Sequence, residues 1–154
     1  MKEYTAEFIR NVALVSHSSA GKTMLTEAFL HFTGATTRMG KIEDGTTASD
    51  YDDEEHRRGI SLYTTVIPIE YKDVKINLLD TPGHSDFSED TYRTLTAVDA
   101  AIMVIDAAKG IESQTLKLFE VCRLRDIPII TFINKVDREG LAPLDLIDEI
   151  QGKL

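Results

Sequence analysis

The sequence predicts an α/β fold in three layers, with a mixed, mostly parallel sheet of about five strands between helices. Three short runs, at residues 12–15, 101–105 and 128–133, are almost wholly apolar. Such runs are typical of strands that a parallel sheet buries on both faces. Helical patterns lie between them, and this alternation indicates strand–helix–strand crossovers.

The remaining strands are predicted as a hairpin. The runs 61–71 and 74–79 are separated only by Lys72 and Asp73. Because a two-residue connection joins antiparallel neighbours, we expect one antiparallel strand at an edge of the sheet.

Three amphipathic helices are predicted, at residues 23–32, 113–124 and 144–154. The side chains expected to face the core are Leu25, Ala28, Phe29 and Phe32 in the first, Leu116, Phe119 and Leu124 in the second, and Leu146, Ile147 and Ile150 in the third. Pro143 suits the first turn of the last helix, where its missing amide costs nothing.

The composition is that of one globular domain over residues 1–154, with 42% hydrophobic and 28% charged residues. The 17 basic and 26 acidic residues give a net charge of −9, which argues against a protein that binds free DNA. The single cysteine, Cys122, fits a reducing compartment and a helix that faces the core. No apolar run is long enough for a membrane span and no secretory signal is visible, so we expect a cytoplasmic protein.

The segment 34–59 has a different character, with glycines, threonines and an acidic stretch. A loop of this length is usually functional or mobile, and the alternative is a solvated linker. The acidic residues are Asp50, Asp52, Asp53, Glu54 and Glu55. Their spacing is not that of a calcium loop, so we expect a solvated segment rather than a metal site.

The first strand leads into a sequence that matches the phosphate-binding pattern GxxxxGK[ST], except that Ser16 replaces the first glycine. Backbone amides in such a loop surround phosphate oxygens, and the following helix N-terminus adds its positive dipole end. The residues expected to hold the nucleotide phosphates are Ser18, Ser19, Ala20, Gly21, Lys22 and Thr23. Lys22 would reach the β- and γ-phosphates, and Thr23 would offer its hydroxyl to Mg²⁺. The alternative is an ordinary strand-to-helix turn with a surface lysine.

A second motif, Asp80 to His84, follows the apolar run that ends at residue 79. An acidic residue at the carboxyl end of a strand beside the phosphate loop can hold Mg²⁺ through a water, which is the role predicted for Asp80. Gly83 would let a backbone amide approach the γ-phosphate. The alternatives are a helix cap for Asp80 and a simple turn at Gly83.

The third motif, at residues 134–137, follows the last predicted strand and holds Asn134, Lys135 and Asp137. A carboxylate at Asp137 can accept hydrogen bonds from N1–H and from the exocyclic amine of guanine, a donor pair that adenine lacks. Because unpaired buried groups are costly, this contact would select guanine and disfavours an ATPase.

Together, the segments SHSSAGKT, RRGIS, DTPGH and NKVD resemble the G domain of translational GTPases, within the phosphate-loop GTPase superfamily. The resemblance covers essentially the whole chain. It implies GTP or GDP and Mg²⁺ as ligands and GTP hydrolysis stimulated by the ribosome. It also implies that Ser61 closes over Mg²⁺ and the γ-phosphate and that His84 positions the attacking water, so His84, Lys22 and Gly83 form the predicted catalytic set.

The two halves of the chain resemble different members of this group. The first half is similar to elongation factor G, and the sequence from residue 86 onward is similar to peptide chain release factor three, with an apparent seam at 82–87. The chain is therefore either a divergent relative or a hybrid of the two families. Another hypothesis is a folded but catalytically silent module. Members of the group carry a later Ser-Ala motif, a further strand and a further helix. We therefore expect a truncated domain with an incomplete base pocket and an exposed strand edge.

Intrinsic hydrolysis is expected to be slow, because no arginine is obviously placed to stabilise the transition state. Arg57, Arg58 and Arg93 are interpreted as surface or ribosome-facing residues. For His17 the loop role that the resemblance implies and a solvated side chain are equally open. His31 has no partner implied by spacing, and His56 is expected to be solvated.

Overall fold

The computed structural model describes residues 2–49, 52–58, 60–84 and 88–154, without the side chains of Asp53 and His56. Within these ranges the strands are β1 Ile9–Val15, β2 Thr65–Tyr71, β3 Val74–Asp80, β4 Ala100–Asp106 and β5 Ile129–Asn134. The α-helices are α1 Lys22–Phe32, α2 Asp53–Arg58, α3 Ser88–Thr94, α4 Ser113–Leu124 and α5 Pro143–Lys153, with short 3-10 helices at Ala6–Phe8 and Leu95–Ala97. None of the helices in the described ranges is both long and apolar enough to cross a bilayer.

The five strands form one sheet in the order β2-β3-β1-β4-β5. β1 is parallel to β3 and β4, β4 is parallel to β5, and only β2 runs antiparallel, against β3. The predicted α/β fold with a mixed, mostly parallel sheet is therefore confirmed. This order brings the carboxyl ends of the four parallel strands to one edge, the place where open α/β sheets bind ligands.

The predicted hairpin is confirmed, and its turn residues Lys72 and Asp73 both have positive φ, at 47° and 66°. Two successive positive φ values are those of a tight turn that matches the twist of the strands. The sequence prediction placed the start of the first hairpin strand at residue 61, which is wrong by four residues.

The segment before β2 is a loop because its amides bind carboxylates instead of β3. The amide of Leu62 donates to Oε1 of Glu55 at 2.8 Å, and the amide of Thr64 donates to Oδ2 of Asp90 at 2.8 Å. These bonds hold the backbone away from the sheet and leave Ser61 at the carboxyl edge.

The core lies in two layers, one on each face of the sheet. On one face α1 contributes Leu25 and Leu30, which pack on Leu14, Leu78 and Val104 of the central strands. On the other face, the buried helical side chains are Leu95, Leu118, Cys122 and Leu146. The three predicted layers are therefore present, and Cys122 is a core residue, where burial raises the pKa of its thiol.

Three side chains predicted to face the core do not. Phe32 is 74% exposed, Leu124 is 85% exposed and Ile147 is 40% exposed. Phe32 and Leu124 each lie two residues, about 200° of helical turn, beyond the buried Leu30 and Cys122, and therefore point away from the sheet.

The far edge of the described sheet is β5, whose face on the α1 side is open. Ile130 and Phe132 pair in register with Ile102 and Val104 of β4, but both are exposed. β5 is also the last strand in the order of the described sheet, so the exposed strand edge expected from the sequence is present in this part of the chain.

Candidate functional site

The loop between β1 and α1 has the backbone shape that binds anions. Ser19 and Gly21 have φ of 63° and 101°, both in the left-handed region, while their neighbours do not. Alternation of this kind turns successive amides toward one point. Gly21 is also the residue before α1, so the positive end of the helix dipole lies at the end of this loop, and the first turn of the helix holds no acidic side chain that would neutralise it.

Ser16 and Lys22 stabilise this loop from within. The hydroxyl of Ser16 donates to the carbonyl of His17 at 2.8 Å. Nζ of Lys22 lies 3.4 Å from Oγ of Ser16 and 3.3 Å from the carbonyl oxygen of His17, so the buried lysine folds back over the loop. Serine at the first position of the pattern therefore takes part in holding the lysine.

Gly83 lies directly against the phosphate loop. A Cβ at this position would be 2.4 Å from Nζ of Lys22 and 2.8 Å from the carbonyl oxygen of His17. Only a residue without a side chain fits here, so the backbone after β3 packs on the phosphate loop. The approach of the Gly83 amide to a γ-phosphate stays a prediction.

Oxygen ligands of the kind that Mg²⁺ prefers gather beside the loop. Oγ1 of Thr23 lies 3.3 Å from Oγ of Ser61, although 38 residues separate them. Asp80 is buried at the end of β3 and is paired in register with Leu14, just before the loop. Across the described ranges, no group of three or more His, Cys, Asp and Glu side chains could hold a metal ion.

A cavity of about 370 Å³ joins the predicted residues. Those that line it are Ser18, Ser19, Gly21, Lys22, Thr23, Ser61, Gly83, His84 and Lys135. Residues that the sequence did not point to complete the lining: Met24, Ile42, Glu43, Ile60 and Arg138. Separate segments of the chain therefore meet around one space.

The third motif is tied to the phosphate loop. Nδ2 of Asn134 donates to the carbonyl of Ala20 at 2.9 Å, and a Cβ on Gly21 would be 2.4 Å from the same nitrogen. Nζ of Lys135 donates to the carbonyl of Ser19. These contacts place Asn134 and Lys135 at the site.

Asp137 is exposed and is not among the residues that line the cavity, whereas Arg138 is. Its contact with guanine stays a prediction.

Asp106, at the end of β4, is a site residue that the sequence analysis missed. Its Oδ2 accepts from Nζ of Lys135 at 2.8 Å, and its Oδ1 accepts from the amide of Ala108 at 2.9 Å. Burial opposes its ionisation, but these hydrogen bonds outweigh burial and hold the pKa of Asp106 below its ordinary 3.8. The available signal was an acidic residue ending an apolar strand, as Asp80 does.

His17 is buried, so the solvated alternative is wrong. Its Nδ1 lies 2.9 Å from Oε2 of Glu112 and 2.6 Å from the carbonyl oxygen of Ser18. Burial lowers the pKa of His17 below its ordinary 6.5, and the nearby Glu112 opposes that effect only in part. The ring therefore connects the phosphate loop to the start of α4.

The three arginines are at the surface. Arg57 and Arg58 pair with Glu54 within α2, and Arg93 pairs with Glu89 at 3.6 Å within α3. All three side chains are at least half exposed, as expected from the sequence.

The sequence predicted that the acidic stretch is solvated, and this prediction is wrong for Glu55. Glu55 is buried, with both carboxylate oxygens bound to backbone amides. Asp50 and the side chains of Asp53 and His56 lie outside the described residues. His31 is exposed.

The fold and the site together define a phosphate-loop α/β domain. The sequence matches the family described as elongation factor Tu GTP binding domain over residues 7–154, and the chain belongs to this family.

Curated relatives and a solved structure agree with this assignment. The chain is 55% identical to peptide chain release factor 3 of Microcystis aeruginosa, over 99% of this chain and 29% of that protein. It is 57% identical to peptide chain release factor 3 of Staphylococcus haemolyticus, over 94% of this chain and 29% of that protein. The crystal structure of a Thermus thermophilus protein, ttk003000868, superposes with a TM-score of 0.90 at 35% identity, over 94% of this chain and 22% of that chain.

The chain spans 29% of the length of these two curated relatives. Their matches run through residues 82–87, so single proteins resemble both sides of the seam considered above. The comparisons therefore give no support to an elongation factor G half or to a hybrid. Residues 85–87 of that seam lie outside the described residues.

Proposed function

We propose that this chain binds guanine nucleotide with Mg²⁺ and hydrolyses GTP, as the GTPase domain of a ribosome-associated translation factor of the release factor 3 type. The relatives named release factor 3 support the type, and the family supports the nucleotide. The observation that carries the proposal is the meeting of the phosphate loop, Ser61 and Gly83 around one cavity.

The phosphates would lie against the amides of 18–23. Lys22 is already folded over the loop, so its ammonium group would meet the β- and γ-phosphates without a large rearrangement. Since Gly83 lies against the same lysine, its amide would lie near the γ-phosphate. Preorganised donors of this kind stabilise the charge that develops in phosphoryl transfer.

The donor set fits Mg²⁺. The neighbouring hydroxyls of Thr23 and Ser61 and the buried carboxylate of Asp80 are hard oxygen ligands, which this ion combines with phosphate oxygens and water. When bound, Mg²⁺ would neutralise charge on the β- and γ-phosphates.

His84 would orient the attacking water. It lines the cavity next to Gly83, on the side where the γ-phosphate would end. Water would attack phosphorus in line, the bond to the β-phosphate oxygen would break, and GDP and inorganic phosphate would leave.

The base would lie toward the third motif. Asn134 and Lys135 hold the phosphate loop, and Asp137 would accept the two guanine donors. In the same proposal the full-length factor acts on the ribosome, in the cytoplasm.

The test compares wild type with Lys22→Met. Titration with a fluorescent GDP analogue in the presence of Mg²⁺ should show saturable binding by wild type. Lys22→Met should weaken it by about 100-fold, because at least one charge-assisted phosphate contact is lost.

Lys117→Met is the matched control, since Lys117 lies on α4, away from the cavity, and should bind like wild type. Equal binding by both lysine variants would overturn the phosphate-loop assignment. Release of phosphate from GTP in the same samples separates a GTPase from a silent module. If no phosphate is released at a saturating GTP concentration, the silent module is favoured.

A further inference from the structure

Glu27 is a buried carboxylate on α1 that the proposed chemistry does not use. Its side chain is 2% exposed and lies one turn beyond Thr23. A carboxylate is rarely buried without charged or hydrogen-bonded partners, because desolvation opposes its ionised form. Its partners here are two backbone amides. Oε2 accepts from the amide of Gly40 at 2.7 Å, and Oε1 accepts from the amide of Ala48 at 2.6 Å.

These two amides are the ends of one loop, residues 40–48. The loop closes on itself, since the amide of Thr46 donates to the carbonyl of Lys41 at 3.1 Å and the amide of Lys41 donates to Oγ1 of Thr46 at 3.0 Å. A Cβ on Gly40 would be 2.3 Å from the carbonyl oxygen of Thr46 and 2.9 Å from Oε2 of Glu27. The junction therefore has no room for a side chain.

The interior of this loop faces the site. Ile42 and Glu43, between the two amides, line the cavity formed by the phosphate loop. One carboxylate on the helix that follows the phosphate loop thus fixes both ends of a segment that lines the cavity.

We propose that Glu27 is a positioning residue that holds the 40–48 loop against the nucleotide cavity and slows the escape of the bound nucleotide. Hydrogen bonds to a carboxylate are about twice as strong as neutral ones. The two bonds from Glu27 therefore add strongly to the local bonds between Lys41 and Thr46 within the loop. The effect on nucleotide escape depends on the proposed function, whereas the effect on the loop does not.

The test uses Glu27→Gln, which keeps the size of the side chain. Its amide nitrogen would face one of the two backbone N–H groups, leaving a buried donor unsatisfied. We expect trypsin cleavage after Lys41 to become about tenfold faster, because local opening controls access to this site. The dissociation rate of a fluorescent GDP analogue should rise by a similar factor, about tenfold.

Cleavage after Lys117 on α4 is the internal reference, because global unfolding would accelerate it equally. Glu120→Gln, a change on α4 away from the cavity, is the matched control and should leave both rates unchanged. Gly40→Ala is the second variant. It displaces the same junction without removing the carboxylate, and it should accelerate cleavage after Lys41 in the same way.

A Glu27→Gln protein that keeps the wild-type cleavage rate after Lys41 overturns the proposal. If that variant does not fold, a wild-type rate of cleavage after Lys41 in Gly40→Ala also overturns the proposal. If wild type fails to bind the GDP analogue, the proposed function fails, while the cleavage experiment still tests the loop.

Discussion

The end of the cavity proposed for the phosphates, here called the phosphate end, differs from the end proposed for the base, here called the base end. At the phosphate end, Ser16, His17, Lys22 and Thr23 are buried, and Gly83, in the segment after β3, packs on His17 and Lys22. At the base end, Lys135 lines the cavity and is half-buried, whereas the half-buried Asn134 and the exposed Asp137 are not among the lining residues. The phosphate end is thus built by the central strands, whereas the base end lies beside β5, at the open edge of the sheet. Phosphate binding should accordingly depend on packing, and base selection on a few polar contacts.

The largest effect should come from breaking the phosphate end with Gly83→Ala. The added methyl group would collide with Nζ of Lys22 and with the carbonyl oxygen of His17. The lysine is a flexible side chain, but the carbonyl oxygen belongs to the backbone and cannot move without shifting the loop. We expect GTP affinity, measured by calorimetric titration, to fall by about 100-fold.

Gly152→Ala is the control for this substitution, because a Cβ there meets no atom within 4 Å. Similar GTP affinities for the two alanine variants would contradict the close packing of Gly83 on the phosphate loop.

A smaller effect should follow from Asp106→Asn, which weakens the connection between the two ends. Lys135 would lose a charged partner while keeping its bond to the carbonyl of Ser19, and the Kd for GDP should rise about fivefold. In a Lys135→Met background the same substitution should change the Kd very little, since its effect acts through the lysine. Additive losses in the double variant would refute this connection.

The smallest effect concerns pH. Burial lowers the pKa of His17 in the folded protein. Near and below the ordinary pKa of 6.5, the unfolded chain therefore binds a proton at this histidine more readily than the folded protein does. The free energy of unfolding should therefore fall as the pH falls through this range and should level off above it. Urea denaturation at several pH values would measure this, and His17→Asn should flatten the dependence. An equal slope in the variant would exclude His17 as its source.

The sequence predicted the sheet well because its central strands are buried on both faces and therefore read as apolar runs. The first and last residues of α4 were also predicted, because its amphipathic pattern begins at residue 113 and ends at residue 124. Leu124 and Phe32 were misplaced because apolar character at a helix end does not determine the direction of a side chain. The strand start at 61 was misplaced because Glu55, seven residues before Leu62, and Asp90, 26 residues after Thr64, bind the amides that follow residue 61.

Residues of the candidate site that belong to a local sequence motif were predicted. Carboxylates whose hydrogen-bond partners are distant in the sequence were missed. Lys22, Gly83 and Asn134 stand in recognisable segments. Glu27 and Asp106 act on loops 13 to 29 residues away, and only the folded chain brings donor and acceptor together. No local spacing encodes such a contact.

Competition for a bound fluorescent GDP analogue by GTP and by ATP measures phosphate binding and base selection in one experiment. We predict displacement by GTP at a concentration at least about tenfold lower than by ATP, since the proposed contact with Asp137 needs the adjacent N1–H and amine donors of guanine, a pair that adenine lacks. Asp137→Asn should remove most of this difference, and Asp148→Asn, an exposed change on α5, should keep it. Equal displacement of the analogue by GTP and ATP from the wild-type chain would contradict the account.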